Sequence, residues 1–228
     1  MFFKAKLGSL DCSFFCFSRF GRSGKETFSI YKDHSGLASE LYLSSDKRFL
    51  IKLERDKYKA NRDLLRWFFR DFVRRVFIFG SDAKREFKGY KIARLAGLNT
   101  PKLYSWGVSL SLFNEFSAFI MVENKIKATP GLSYFRSLSK DDKVDFLIRL
   151  ANEAVTLAKY GYVHRDFHLN NFLIDDDGRV LWIDNHFRKL SKFKKKRWKQ
   201  LVDSLSDSKL DGEENKKVVL SIFKGEFK

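Results

Sequence analysis

Residues 162–185 read Y-V-H-R-D-F-H-L-N-N-F-L-I-D-D-D-G-R-V-L-W-I-D-N, and the fold is decided by how this stretch is parsed. Phe172-Leu173-Ile174 and Val180-Leu181-Trp182-Ile183 are short apolar runs of strand length. Asp175-Asp176-Asp177-Gly178 lies between them, and Asp and Gly tolerate the backbone angles of a tight turn. The stretch therefore predicts a β-hairpin. Three polar residues are placed around it: Asp166 ahead of the first strand, Asn171 against it and Asp184 at the end of the second.

The order His164-Arg165-Asp166, four residues, Asn171, hairpin, Asp184 is the catalytic-loop arrangement of protein kinases. Each residue type has a chemical reason. A carboxylate at Asp166 takes the proton of an acceptor hydroxyl, while the Asn171 amide oxygen and the Asp184 carboxylate suit a magnesium ion bridging ATP phosphates. Asp166 and His168 are the candidate catalytic residues, Asn171 and Asp184 the candidate metal ligands. His168 stands two residues past Asp166, where a kinase places a contact to the γ-phosphate; a structural histidine bonded to backbone is the competing role. His164 is expected to pack beneath the loop.

Upstream, Thr27–Tyr31, Ser39–Leu43 and Arg48–Leu53 predict a three-stranded antiparallel meander, with residues 1–25 unplaced apart from an irregular strand and a loop at 21–25. The turn at 32–36 contains Gly36 alone, a poor version of a glycine-rich phosphate lid. Lys52 sits within the apolar run F-L-I-K-L, where its ammonium needs a partner. Glu86, early in a helix expected over Ala83–Ala96 and capped by Ser81 or Asp82, is the candidate. Lys102–Val108 and Ala118–Val122 add two strands, and Glu123-Asn124 would form a hinge that holds adenine. Lys52, Glu86 and Glu123 are thus the candidate nucleotide-binding residues. Short and long helices follow at Ser133–Leu138 and Asp141–Lys159, the second capped by Ser139 and closed at Gly161. Two more are expected, one around Trp198–Leu205 and one at Asp211–Phe223.

Residues 56–79 predict an amphipathic helix that Gly80 ends. Leu64, Leu65, Phe68, Phe69, Phe72, Val73, Val76 and Phe77 follow three-four spacing, with Arg62, Arg66, Arg70 and Arg74 opposite. The expected placement is packing on the body with the basic face in water; the alternative is an anionic membrane interface.

Composition limits the partners. The 228 residues carry a net charge of +17 and are 44% hydrophobic, with 25 Phe. That field calls for an anionic partner: nucleic acid, a membrane face or a phosphorylated substrate. Cys12 and Cys16 have neither the number nor the neighbours for a disulfide framework or zinc site and are read as free thiols. Met1–Phe20 is interrupted by charges, so no signal peptide is expected. No window is apolar enough to span a bilayer. Asp184 is followed only by residues 185–228, which leaves a minimal large lobe and disfavours a protein substrate docked on an ordered activation segment.

Taken together, Lys52, the segment A-K-R-E-F-K-G-Y-K-I-A-R-L-A-G-L-N-T-P, H-R-D-F-H-L-N-N-F-L-I, W-I-D-N-H-F-R and the tail K-K-R-W-K-Q-L-V-D-S-L resemble the Kdo/WaaP-type lipopolysaccharide kinases over roughly residues 45–205. The resemblance implies an α+β, protein-kinase-like bilobal fold, with an N-terminal lobe at 1–122 and a mostly helical lobe at 123–228. It implies ATP and Mg2+, a lipopolysaccharide core sugar as acceptor (heptose before Kdo), and a cytoplasmic protein peripheral to the inner membrane of a Gram-negative cell. Acceptor phosphates and carboxylates would meet Arg188, Lys195 and Arg197. Nucleic acid is not an expected partner. Asp184-Asn185-His186 departs from the D-F-G of protein kinases, and Gln200 stands where the family often has an acidic residue. A small atypical protein kinase and a non-catalytic basic binding module are the competing functions.

Overall fold

The computed structural model describes residues 2–7, 10–17, 25–32, 39–56, 58, 62–111 and 116–227. The expected turn around Gly36 lies outside them. The protein is a mixture of helix and strand and divides into two compact units, residues 1–88 with 102–126 and residues 89–101 with 127–228. The division expected at 122/123 thus lies four residues later, and 89–101 belong with the second unit because Ala93 and Leu98 are part of its core.

The first unit is a closed barrel in the order β1-β2-β6-β7-β5-β4-β3. Its strands are β1 Phe2–Leu7, β2 Leu10–Cys16, β3 Lys25–Lys32, β4 Ser39–Ser44, β5 Phe49–Glu54, β6 Leu103–Val108 and β7 Ala118–Glu123. The expected three-stranded meander is present as β3-β4-β5. What the sequence reading left unplaced is the pair β1 and β2, which completes the ring by pairing β1 parallel to β3 and β2 antiparallel to β6. In β1 the two-residue period turns Phe3, Ala5 and Leu7 inward and Phe2, Lys4 and Lys6 outward. They join Phe14, Phe28, Phe49, Ile51, Leu53, Phe119 and Met121 in an aromatic-rich core. Cys12 and Cys16 are buried in that core as thiols, and Cys16 Sγ lies 2.6 Å from Ser105 Oγ.

The helix expected over 56–79 is shorter and leaves most of its apolar stripe exposed. It runs as an α segment Leu64–Arg66, a π-helical stretch Trp67–Phe72 and an α segment Val73–Ile78, together α1. Asp63 caps it by accepting from the Arg66 amide. Its C-terminal left-handed residue is Phe79 at φ 49°, one residue before Gly80. Phe79 stays there because its ring packs on Phe17 at 4.8 Å, and Phe17 stacks on Trp106 at 4.3 Å. The side chains anchoring α1 are polar: Trp67 Nε1 and Arg75 Nη1 both donate to Asp56, at 2.9 and 2.7 Å. Leu64, Leu65, Phe68, Phe69 and Phe77 are exposed. Packing of the whole apolar stripe on the body is therefore corrected: only Phe72, Val73 and Val76 are half-buried, the basic residues Arg66, Arg70 and Arg74 are exposed as expected, and Asp56 draws in Trp67 and Arg75, which lie outside the stripe.

The second unit is built on α4, Lys140–Lys159, and α6, Glu213–Phe227. Ser139 caps α4, accepting from the Asp142 amide, and Gly161 adopts φ 95° after its end. Between them in sequence lies α5, Lys194–Val202; α3, Gly131–Ser137, and α2, Asp82–Leu95, precede. Glu86 on α2 counts with the first unit and Gly89 onward with the second. The expected hairpin is present as β10 Phe172–Ile174 against β11 Val180–Trp182, extended by β8 Thr129–Pro130. β9 Tyr162–His164 pairs with β12 Phe187–Lys189, a strand the sequence reading passed over. Phe167, Leu169, Phe172 and Trp182 from the hairpin region are buried together with Phe146, Leu147 and Leu150 of α4. This anchors the loop between β9 and β10 from beneath.

Candidate active site

In the first unit, Lys52 alternates with Ile51 and Leu53, so its side chain leaves the barrel interior. Its Nζ meets Glu86 Oε2 at 2.9 Å, with Lys52 22% and Glu86 4% exposed. A nearly buried carboxylate is tolerated only when a cation and hydrogen bonds compensate it. This pair is the partnership expected for Lys52. Glu123 is the last residue of β7. Its amide donates to Lys102 O at 2.8 Å, and its carboxylate accepts from the Lys102 amide at 3.2 Å and pairs with Lys125 at 3.0 Å. Burial works against ionisation there, but those hydrogen bonds and the Lys125 charge hold the carboxyl below its ordinary value.

In the second unit, the loop after β9 is organised by its own backbone. His164 Nδ1 accepts from the Asp166 amide at 3.1 Å, Arg165 N donates to His186 O at 2.8 Å, and Phe167 N donates to Ser204 O at 3.3 Å. His164 is 2% exposed. Burial pushes its imidazole down to about 4, although the Asp184 and Asp166 charges pull the other way. It is a neutral, structural residue, packed against Phe187 and Trp182. The loop ends in a 3-10 turn, Leu169–Asn171. His168 caps that turn: its Nδ1 accepts from the Asn170 amide at 3.0 Å, and the Asn171 amide donates to His168 O at 2.8 Å. That lone pair is therefore committed to backbone, and a neutral His168 carries its hydrogen on Nε2.

Asn171 Nδ2 donates to Asp166 O at 2.8 Å. This bond fixes the amide orientation. Asp184 follows β11 in the left-handed region at φ 50°, a conformation that strains most side chains and which Asp tolerates better than most. Its carbonyl accepts from His186 N at 2.7 Å, and His186 Nε2 lies 3.5 Å from its Oδ1. Asn185 is fully buried and donates to Trp182 O at 3.1 Å. Gly89 of α2 faces it so closely that a Cβ would stand 1.6 Å from Asn185 O. The backbone around Asp184 is thus clamped between hairpin and helix.

The basic tail is less open than its charge suggests. Arg188 Nη2 donates to Gln200 O at 3.3 Å, and Arg197 donates to Ser191 O at 3.1 Å. Gln200 bridges the Ser191 amide at 2.7 Å and Lys189 O at 3.3 Å, which gives a neutral amide a reason to stand there. Lys195 is exposed on α5. A cavity of about 380 Å³ lies alongside, lined by Lys159, Lys189, Lys192, Arg197, Leu190 and Phe227 among others. One residue absent from the sequence reading reaches Asp166: Lys209 Nζ is 2.6 Å from Asp166 Oδ1. Nothing about a lone lysine in D-S-K-L-D-G marks it in advance.

No family model matches the chain, and no curated protein does. Solved structures do. WaaP, in a complex with acyl carrier protein, matches over 86% of this chain and 78% of its own, at a TM-score of 0.55 and 19% identity. WbdD, spanned over 44% of its length, matches at a TM-score of 0.49 and 13% identity. The chain shares its fold with WaaP.

Proposed function

We propose that the protein is an ATP-dependent kinase of protein-kinase-like bilobal design that phosphorylates a sugar hydroxyl of the lipopolysaccharide inner core, heptose before Kdo. The observation that carries this reading is the loop between β9 and β10, where the half-exposed Asp166 carboxylate stands beside an Asn171 whose amide is locked by the Asp166 carbonyl. Asp166 takes the proton of the acceptor hydroxyl as its oxygen bonds to the γ-phosphorus and the bond to the β-phosphate oxygen breaks, releasing ADP. Lys52, held by Glu86, neutralises the α- and β-phosphates, and the hinge at Glu123 takes adenine. Asn171 Oδ1 and the Asp184 carboxylate are hard oxygen donors and fit magnesium. When bound, the ion screens the phosphate charge. Arg188, Lys195 and Arg197 lie on a strongly basic stretch suited to core phosphates and carboxylates.

The exposed aromatic and leucine side chains of α1, interspersed with Arg66, Arg70 and Arg74, suit the anionic cytoplasmic face of the inner membrane. Among the described residues no helix is long and apolar enough to cross a membrane.

The test is transfer from labelled ATP to core oligosaccharides of defined length, with mass spectrometry locating the phosphate. Asp166→Asn should lower turnover by about 10²–10⁴-fold while ATP binding persists. Absence of transfer to every heptose- and Kdo-containing acceptor overturns the reading.

A further inference from the structure

Lys209 closes a short 3-10 turn, Asp207–Lys209, in the connection between α5 and α6. The turn is firmly built. Lys209 N donates to Ser206 O at 3.2 Å, Gly212 N donates to Asp207 O at 2.9 Å, and Lys216 pairs with the Asp207 carboxylate at 3.1 Å. Leu210, the next residue, is fully buried in the same core as Phe167 and Leu169. Just upstream, Ser204 O receives the Phe167 amide. The catalytic loop and the turn are therefore held by one core and one shared hydrogen bond, and this is what brings Lys209 Nζ to 2.6 Å from Asp166 Oδ1.

A pair with side chains 29% and 55% exposed contributes little to folding, because water screens it and both side chains lose freedom. Its consequence is chemical. A carboxylate acting as base must present one oxygen to the acceptor hydroxyl in a fixed direction. Lys209 occupies Oδ1, which fixes the carboxylate plane and leaves Oδ2 as the proton acceptor. His168, which the sequence places near Asp166, has its Nδ1 committed to the Asn170 amide. The cation beside Asp166 is therefore supplied by the distant turn.

We propose that Lys209 is a positioning residue for Asp166, orienting its carboxylate toward the acceptor and offsetting the negative charge that gathers there as acceptor and γ-phosphate approach. This rests on the kinase reading above. The experiment compares wild type, Lys209→Met, Lys209→Arg, Asp166→Asn and the Asp166→Asn/Lys209→Met double variant by initial rates over ATP and acceptor concentrations, with thermal melts of each. Lys209→Met should lower kcat by about 10–100-fold, the scale of a misplaced catalytic group, with the KM for ATP and the melting temperature unchanged. Lys209→Arg should recover part of the loss. The double variant should be no slower than Asp166→Asn, since Lys209 acts through that carboxylate. Wild-type kcat in Lys209→Met, or a full further loss in the Asp166→Asn background, overturns the proposal and leaves the kinase reading standing. Equal rates in wild type and Asp166→Asn remove Asp166 as the base and overturn this proposal, whereas absence of transfer by the wild type overturns the kinase reading itself, and this proposal with it. If Lys209→Met melts early, Lys209→Gln takes its place under the same criteria.

Discussion

Acidification should destabilise this protein through one buried imidazole. His164 has a folded-state pKa of about 4 against an ordinary 6.5, with burial as the main cause. Between those values the unfolded chain binds a proton that the folded chain refuses, so folding stability rises with pH across the window and falls as pH drops through it. The whole gap corresponds to about 3 kcal/mol, and by pH 5 about 2 kcal/mol of it is already lost relative to pH 7.5. Carboxylates titrate nearby, so the comparison is with His164→Asn, whose side-chain oxygen can accept from the Asp166 amide as Nδ1 does. Urea unfolding at pH 5 and 7.5 reads the two slopes. Wild type should lose about 2 kcal/mol more than the variant over that interval, and side-chain NMR should show the His164 ring neutral at pH 5. A ring titrating near 6.5, or equal slopes, refutes the claim that burial keeps it neutral.

Gly89→Ala should destabilise by about 1–3 kcal/mol, as an overpacked contact does, despite the better helix propensity of alanine, because the new Cβ would meet Asn185 O; a higher urea midpoint would contradict the close approach. Replacing Leu65, Phe69 and Phe77 with Asp should leave the fold intact, since all three are exposed. It should reduce co-sedimentation with phosphatidylglycerol vesicles at least about tenfold, the loss expected on removing inserted apolar area; unchanged sedimentation would detach α1 from the membrane.

How much of this was legible in the sequence differs by element. The hairpin at 172–182 was, because D-D-D-G leaves the chain few alternatives between two apolar runs. So was the Lys52–Glu86 pair, since a lysine among buried residues demands a partner and the next helix offers an early glutamate. Strand β1 was not read, although Phe3, Ala5 and Leu7 alternate with Lys4 and Lys6: besides the adjacent β2 it pairs in parallel with β3, and alternation does not name that partner. Helix α1 shows a different limit. Periodicity divides a helix into two faces but does not say which side chains the body receives, and here Trp67 and Arg75, outside both the apolar stripe and the Arg62–Arg74 row, are drawn in by Asp56. Lys209 had no motif at all; only the packing of Leu210 places it.

The seven-stranded ring has a consequence for how the chain is made. Its seam joins Phe15 and Cys16 to Val108 and Gly107, so the β1–β2 hairpin must wait for strands encoded much later. Such non-local pairing closes a large loop before any contact rewards it, and folding dominated by it is slow. Until the seam forms, the hairpin presents unpaired amides and carbonyls flanked by phenylalanines, a template for misassociation with another nascent chain. Once it forms, the ring offers no strand edge to a neighbour, and the same aromatic side chains that made the wait hazardous lock the barrel shut.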